Sequence, residues 1–112
     1  MKKIEVIIRS EKLDDMKEIL DACNSTGAMV SNIMGYGNQK GYKTQYRGND
    51  YYVNLLPKIK IETVVTDENA EKLISMVTEK IPTGNYGDGK IFVYDVLDAV
   101  RIRTGERGES AI

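Results

Sequence analysis

The chain has 112 residues, which is one domain's length, with 16 Lys and Arg against 17 Asp and Glu. A net charge of −1 argues against nucleic-acid binding that depends on overall basicity. The absence of histidine removes imidazole as base, ligand or pH switch, and a single cysteine, Cys23, excludes an internal disulfide and a paired-cysteine metal site.

Lys3 to Ile8 alternates with Ile4, Val6 and Ile8 on one face and reads as a strand. Ser10 is placed to cap a following helix whose stripe is Leu13, Met16, Leu20 and Cys23, with Gly27 after its end. Met29 to Met34 reads as a second strand. From Gly35 to Pro57 the pattern breaks into a polar, glycine-containing stretch with tyrosines at 36, 42, 46, 51 and 52. A long segment of this kind is functional or mobile. Order returns at Lys58, where Ile59, Ile61, Thr63 and Val65 alternate along a third strand. Asp67 is the expected cap of a second helix with the stripe Ala70, Leu73, Ile74 and Val77. Ile81 to Lys90 reads as a Gly-rich loop, Ile91 to Tyr94 as a fourth strand, and Val100 to Arg103 as a short fifth. Two βαβ halves with helices on one face predict an α+β, ferredoxin-like βαββαβ sandwich. Its other sheet face, carrying Ile7 and Val64 among charges, is left for association.

The chemistry concentrates near the C-terminal end. Gly87-Asp88-Gly89-Lys90 and then Arg101, Arg103 and Arg107 combine permissive backbone with four cations. Glycine lets backbone N–H groups approach a phosphate, and arginine binds oxyanions in a bidentate fork. Arg101 and Arg103 would share one face of the expected fifth strand. The alternatives are an ordinary Gly-Asp-Gly turn and surface ion pairs of the arginines with Glu106 or Asp98. Gly-Asp-Gly-Lys lacks the length and hydroxyl of a Walker A loop. Gly35, Gly37 and Gly41 follow a strand but precede no helix, which argues against a Rossmann unit.

Several segments together, in order along essentially the whole chain, resemble the PII nitrogen-regulatory signal-transduction proteins. They are Met1-Lys2-Lys3-Ile4-Glu5, Lys12-Leu13-Asp14-Asp15, Gly35-Tyr36-Gly37-Asn38-Gln39-Lys40-Gly41, Tyr46-Arg47-Gly48-Asn49-Asp50-Tyr51 and Leu56-Pro57-Lys58-Ile59-Lys60-Ile61-Glu62. Thr83-Gly84, Gly87-Asp88-Gly89-Lys90-Ile91-Phe92-Val93 and Arg101-Ile102-Arg103-Thr104-Gly105-Glu106 complete the set. The resemblance implies a homotrimer of ferredoxin-like subunits, with ATP or ADP in the clefts between them and 2-oxoglutarate beside Mg-ATP. Residues 1–112 would form a single domain with a docking T-loop at about 36–56, a B-loop at about 81–90 and a C-terminal loop at about 101–112.

By the same resemblance, nucleotide contacts fall on Ile7, Met29, Gly35, Tyr36, Gly37, Asn38, Gln39 and Lys58. They continue with Glu62, Val64, Gly87, Asp88, Gly89, Lys90, Arg101 and Arg103. 2-Oxoglutarate would meet Gly37, Gln39, Lys40, Gly41, Lys58 and Gly87. Gln39 would add its amide oxygen to a magnesium shell that phosphates complete, and the Lys58 ammonium would meet the distal carboxylate. Met29 stands where threonine is usual near the adenine, and Asn38 where arginine is usual near the phosphates. Tyr51 matches a tyrosine that some members modify, and Arg47 is placed to dock into a partner. The expected partners are nitrogen-metabolism proteins: an ammonium transporter, a nucleotidyltransferase, glutamine synthetase control or nitrogenase regulation.

The resulting expectation is a cytoplasmic, non-enzymatic sensor with no nucleic-acid partner, meeting a membrane only through a transporter. The rival is an ATP-hydrolysing or phosphotransfer enzyme using the same cleft. Its only apparent bases would be Asp88 and Glu106. A second rival is a purely structural trimer.

Overall fold

The computed structural model describes residues 1–25, 27–36 and 55–112 in full, and the backbone of 43–46 and 49–52. The elements are β1 (Lys2–Arg9), α1 (Leu13–Ala22), β2 (Met29–Tyr36), β3 (Lys43–Tyr46), β4 (Asn49–Tyr52), β5 (Leu55–Val65), α2 (Asp67–Lys80) and β6 (Gly89–Asp95). β2, β5, β1 and β6 form one antiparallel sheet in that order, and β3 pairs with β4 as a separate ladder. The sheet order and the two crossing helices are those of the ferredoxin-like sandwich.

Alternation decides the faces. Ile4, Val6 and Ile8 on β1 and Ile59, Ile61 and Val65 on β5 are buried against Met16 and Ile19 of α1 and Ala70, Leu73 and Val77 of α2. The opposite face holds Lys3, Glu5, Ile7, Lys60, Glu62 and Val64, all half-buried. Glu5 lies directly across from Glu62 in the β1–β5 register. Like charges so placed repel; the Lys3 ammonium, 3.8 Å from Glu5 and 3.2 Å from Glu62, offsets that.

Several local expectations are corrected. Ser10 caps nothing: it opens a short 3-10 turn, Ser10–Lys12, before α1. The inward stripe of α1 is Met16, Ile19 and Cys23, with Leu13 and Leu20 at its margin. Past α1, the left-handed residue is Asn24 (φ 51°), not Gly27. Thr66, rather than Asp67, caps α2, its hydroxyl accepting from the Asn69 N–H at 3.3 Å. Both polar residues suit the position; the strand ends at Val65, where its alternation does, and the helix begins one residue earlier than a cap at Asp67 would place it. Thr66→Ala should therefore lower stability by about 1 kcal/mol, read as a shift in the urea midpoint at constant m.

Strands run longer than their apolar alternation, and β6 takes Gly89 and Lys90 from the expected Gly-rich loop. Gly35 and Tyr36 still belong to β2, and Leu55, Leu56 and Pro57 already belong to β5. Pro57 is tolerated because β1 ends at Arg9, opposite Lys58, so position 57 has β2 alone as neighbour. The expected fifth strand is absent. Arg101 to Gly105 closes a turn through Gly105 N–H to the Arg101 carbonyl at 2.7 Å, and Val100 meets Arg107 in a single bridge. The alternation at Val100 and Ile102 has no neighbouring strand to pair with; Ile102 is fully exposed.

Candidate functional site

The Gly-rich loop is organised by one carboxylate. Asp88 accepts from four donors: the backbone N–H groups of Thr83 and Gly84, both at 2.9 Å, the Thr83 hydroxyl, and Arg9 Nε at 3.1 Å. Arg9 Nη2 also donates to the Tyr86 carbonyl at 2.5 Å, and Lys58 Nζ to the Gly87 carbonyl at 2.6 Å. The loop is thus closed on itself and fastened to the last residue of β1, Arg9, and to Lys58 within β5. These bonds, the Thr83 hydroxyl foremost, hold the Asp88 carboxyl well below the usual aspartate range. The structure gives the Asp88 side chain a loop-building role.

A depressed carboxylate favours folding above the unfolded pKa of about 3.9, and that contribution fades as pH falls toward the lower folded value. Asp88→Asn should therefore flatten the acid limb of the stability profile below about pH 4. Urea titrations from neutral to strongly acidic pH check this; parallel slopes for wild type and variant would contradict it.

Beside the loop lies a cleft of about 460 Å³ that brings together Ile7, Gly35, Tyr36, Lys58, Gly87, Gly89 and Lys90. Seven of the sequence-predicted residues therefore meet at one place. Gly35 has a packing reason: a Cβ there would stand 3.1 Å from Lys58 Cγ. Burial, and then the nearby Arg9 charge, push the Lys58 ammonium below the ordinary lysine value. A buried cation among glycine backbone suits an oxyanion.

A second cleft, about 670 Å³, gathers Met29, Glu62, Val64 and Arg101 with Lys3 and Gly27. Lys58 and Glu62 are four positions apart on β5, which separates the two groups by roughly 13 Å. Arg101 pairs with Glu106 at 3.5 Å, and Asp98 is taken by Arg107, its Nε at 2.8 Å. Of the two ion-pair alternatives for the arginines, the Glu106 contact forms and the Asp98 contact does not. Arg103 is exposed on the turn and lines neither cleft, so the two arginines do not share a strand face.

Gly37, Asn38, Gln39, Lys40, Gly41 and Arg47 lie outside the described residues, as does the side chain of Tyr51, whose backbone pairs with Thr44. Among the described residues no cluster of three or more His, Cys, Asp or Glu side chains could hold a metal ion, and no helix is long and apolar enough to cross a membrane.

Arg9 and Thr83 are the residues that sequence reasoning missed. Arg9 is 79 positions from Asp88 and carries no motif; only the β1–β6 pairing brings them together. Thr83-Gly84 ahead of Gly87-Asp88 was visible, but its meaning as a carboxylate-closed turn needed the fold.

A family model described as "Nitrogen regulatory protein P-II" matches residues 1–106. The chain is 53% identical over its full length, and over all of the relative, to "Nitrogen regulatory protein P-II" of Pasteurella multocida. It is 51% identical over its full length to "Nitrogen regulatory protein P-II 1" of Methanothermobacter thermautotrophicus, covering 97% of that protein. Against "Nitrogen regulatory protein P-II 1" of Escherichia coli it is 47% identical, with both chains fully covered. These relatives carry the names of regulators rather than enzymes. Sequence match and sheet order agree, and the chain belongs to the nitrogen regulatory protein P-II family.

Proposed function

We propose that the protein is a homotrimeric sensor that binds ATP or ADP and, with Mg-ATP, 2-oxoglutarate, and that it regulates nitrogen-metabolism targets through the segment 36–56. Family membership supports the regulatory role. The observation that carries the ligand reading is the division of the expected contacts between two clefts. Lys58, Lys90 and the loop glycines stand at one, and Met29, Glu62, Val64 and Arg101 at the other. A second copy of the chain would bring a cleft of each kind together, so that phosphates meet the loop of one subunit and the base meets the other. That reading also gives the exposed Phe92, Val93 and Tyr94 of β6 a partner.

In this scheme Gln39 would hold magnesium beside the phosphate oxygens of the nucleotide, in the role that the resemblance implies. The metal would neutralise phosphate charge and orient the 2-keto acid end of 2-oxoglutarate, while Lys58 holds the distal carboxylate. Arg47 docks into a target and Tyr51 is the candidate for modification, in the roles that the resemblance implies. The targets belong to the class that includes ammonium transporters, nucleotidyltransferases and the control of glutamine synthetase or nitrogenase. The protein acts by binding, without turnover.

Calorimetric titration with ATP and ADP, beside sedimentation equilibrium, tests the reading. It expects saturable nucleotide binding to a species of three times the chain mass. A monomer that binds neither nucleotide, or steady ATP hydrolysis at rates typical of enzymes, would overturn it.

A further inference from the structure

Thr63 is the one polar residue on the core-facing side of β5, whose other positions are Ile59, Ile61 and Val65, and it is 4% exposed. A buried hydroxyl must find a partner or cost stability. Here it finds two. Thr63 Oγ1 lies 2.6 Å from the Gly27 carbonyl, to which it donates, and 2.8 Å from Ser25 Oγ. Ser25 Oγ also lies 3.2 Å from the Gly27 carbonyl.

The position of this triangle matters. The β2–β5 ladder ends at the pair Met29 with Glu62. Thr63 is the next residue of β5, so its hydroxyl takes over where the backbone ladder stops. It fixes the Gly27 carbonyl, and with it the approach of the chain to Met29. Gly27, Ala28 and Met29 line the larger cleft together with Glu62, Thr63 and Val64. The Gly27 end of that wall is therefore anchored by two side-chain hydroxyls, beyond the last sheet pair at Met29. A valine at 63 would fill the same space and leave the carbonyl of Gly27 without its buried donor.

We infer that Thr63, with Ser25, is a positioning residue for nucleotide binding. It acts by holding the Gly27 end of the Gly27–Met29 wall against the nucleoside end of the nucleotide. The inference rests on the nucleotide reading given above. Losing a neutral hydrogen bond of this kind is worth about 1 kcal/mol, and hence about fivefold in affinity when the geometry it holds is used by the ligand.

The test is calorimetric titration of the full chain with Mg-ATP, comparing wild type, Thr63→Val, Thr63→Ser and Ser25→Ala, each first checked for a cooperative thermal transition. Thr63→Val is expected to weaken ATP about three- to tenfold at a temperature where it is fully folded. Thr63→Ser, which keeps the hydroxyl, should restore binding to near the wild-type value, and Ser25→Ala should show a smaller loss in the same direction. A merely structural hydroxyl would lower the melting temperature and leave the affinity of the folded variant alone. Folded Thr63→Val binding ATP within twofold of wild type overturns the assignment. If that variant does not fold, unchanged affinity in Ser25→Ala overturns it instead. Wild-type protein that binds no ATP would remove the nucleotide reading itself, and the inference with it.

Discussion

Gly89→Ala is expected to be the most damaging single substitution in the described part of the chain. Gly89 has φ +113°, a region that L side chains rarely adopt, and a Cβ there would stand 1.7 Å from the Ile7 carbonyl oxygen and 2.8 Å from its carbon. Both obstacles are backbone, held in the β1–β6 ladder where Gly89 faces Ile8 and Lys90 faces Ile7. Nothing there can rotate aside. Strain at such a φ costs about 1–3 kcal/mol by itself. Relieving the overlap requires opening the first pairs of β6, so we expect a total above about 4 kcal/mol, in the range reserved for special backbone sites. The loss should extend to ligand binding, because β6 starts where the Asp88-closed loop ends. Urea denaturation and ATP titration of the same preparation check this. A variant within about 1 kcal/mol of wild type would contradict the geometry.

Lys58→Met should be the most damaging substitution for 2-oxoglutarate. Methionine keeps the aliphatic stem that packs beside Gly35 and removes the ammonium. Two things are lost together: the bond to the Gly87 carbonyl at 2.6 Å and the cation proposed to receive the distal carboxylate. Removing one partner of a desolvated charge pair typically costs about 2–5 kcal/mol, at least about thirtyfold in affinity. ATP should be affected less, since Lys90 and the loop backbone remain. Titration of 2-oxoglutarate into the Mg-ATP-loaded variant measures the first effect, and direct ATP titration the second. Equal loss for both ligands would show that Lys58 acts only by shaping the loop.

The fold was readable where burial obeys a period. Ile4, Val6 and Ile8, and Ile59, Ile61, Thr63 and Val65, announce strands because one face is covered by helices and the other is charged. It was less readable where strands outrun that contrast, as at Gly35, Tyr36 and Leu55 to Pro57, or where alternation has no partner, as at Val100 to Arg103. The cap of α2 slipped by one residue because neighbouring polar side chains compete for the same N–H groups.

The candidate site shows the same division. Gly87, Gly89 and Lys90 were legible as phosphate chemistry and Lys58 through the resemblance, and the structure gathers the four at one cleft. The clamp of Arg9 on Asp88 and the hydroxyl pair of Ser25 and Thr63 were not, because each joins residues far apart in sequence. Asp88 was read for its place beside the ligand, and its side chain has in addition the role of closing its own loop.

The central claim is that one cleft reads nucleotide and 2-oxoglutarate together. It is tested most directly by titrating 2-oxoglutarate into the wild-type protein in four states: free, with ADP, with ATP lacking magnesium, and with Mg-ATP. Measurable heat of binding is expected only with Mg-ATP, because neither Gln39 nor the described carboxylates can complete a magnesium shell without the phosphates. Comparable binding with ADP or with no nucleotide would contradict the account.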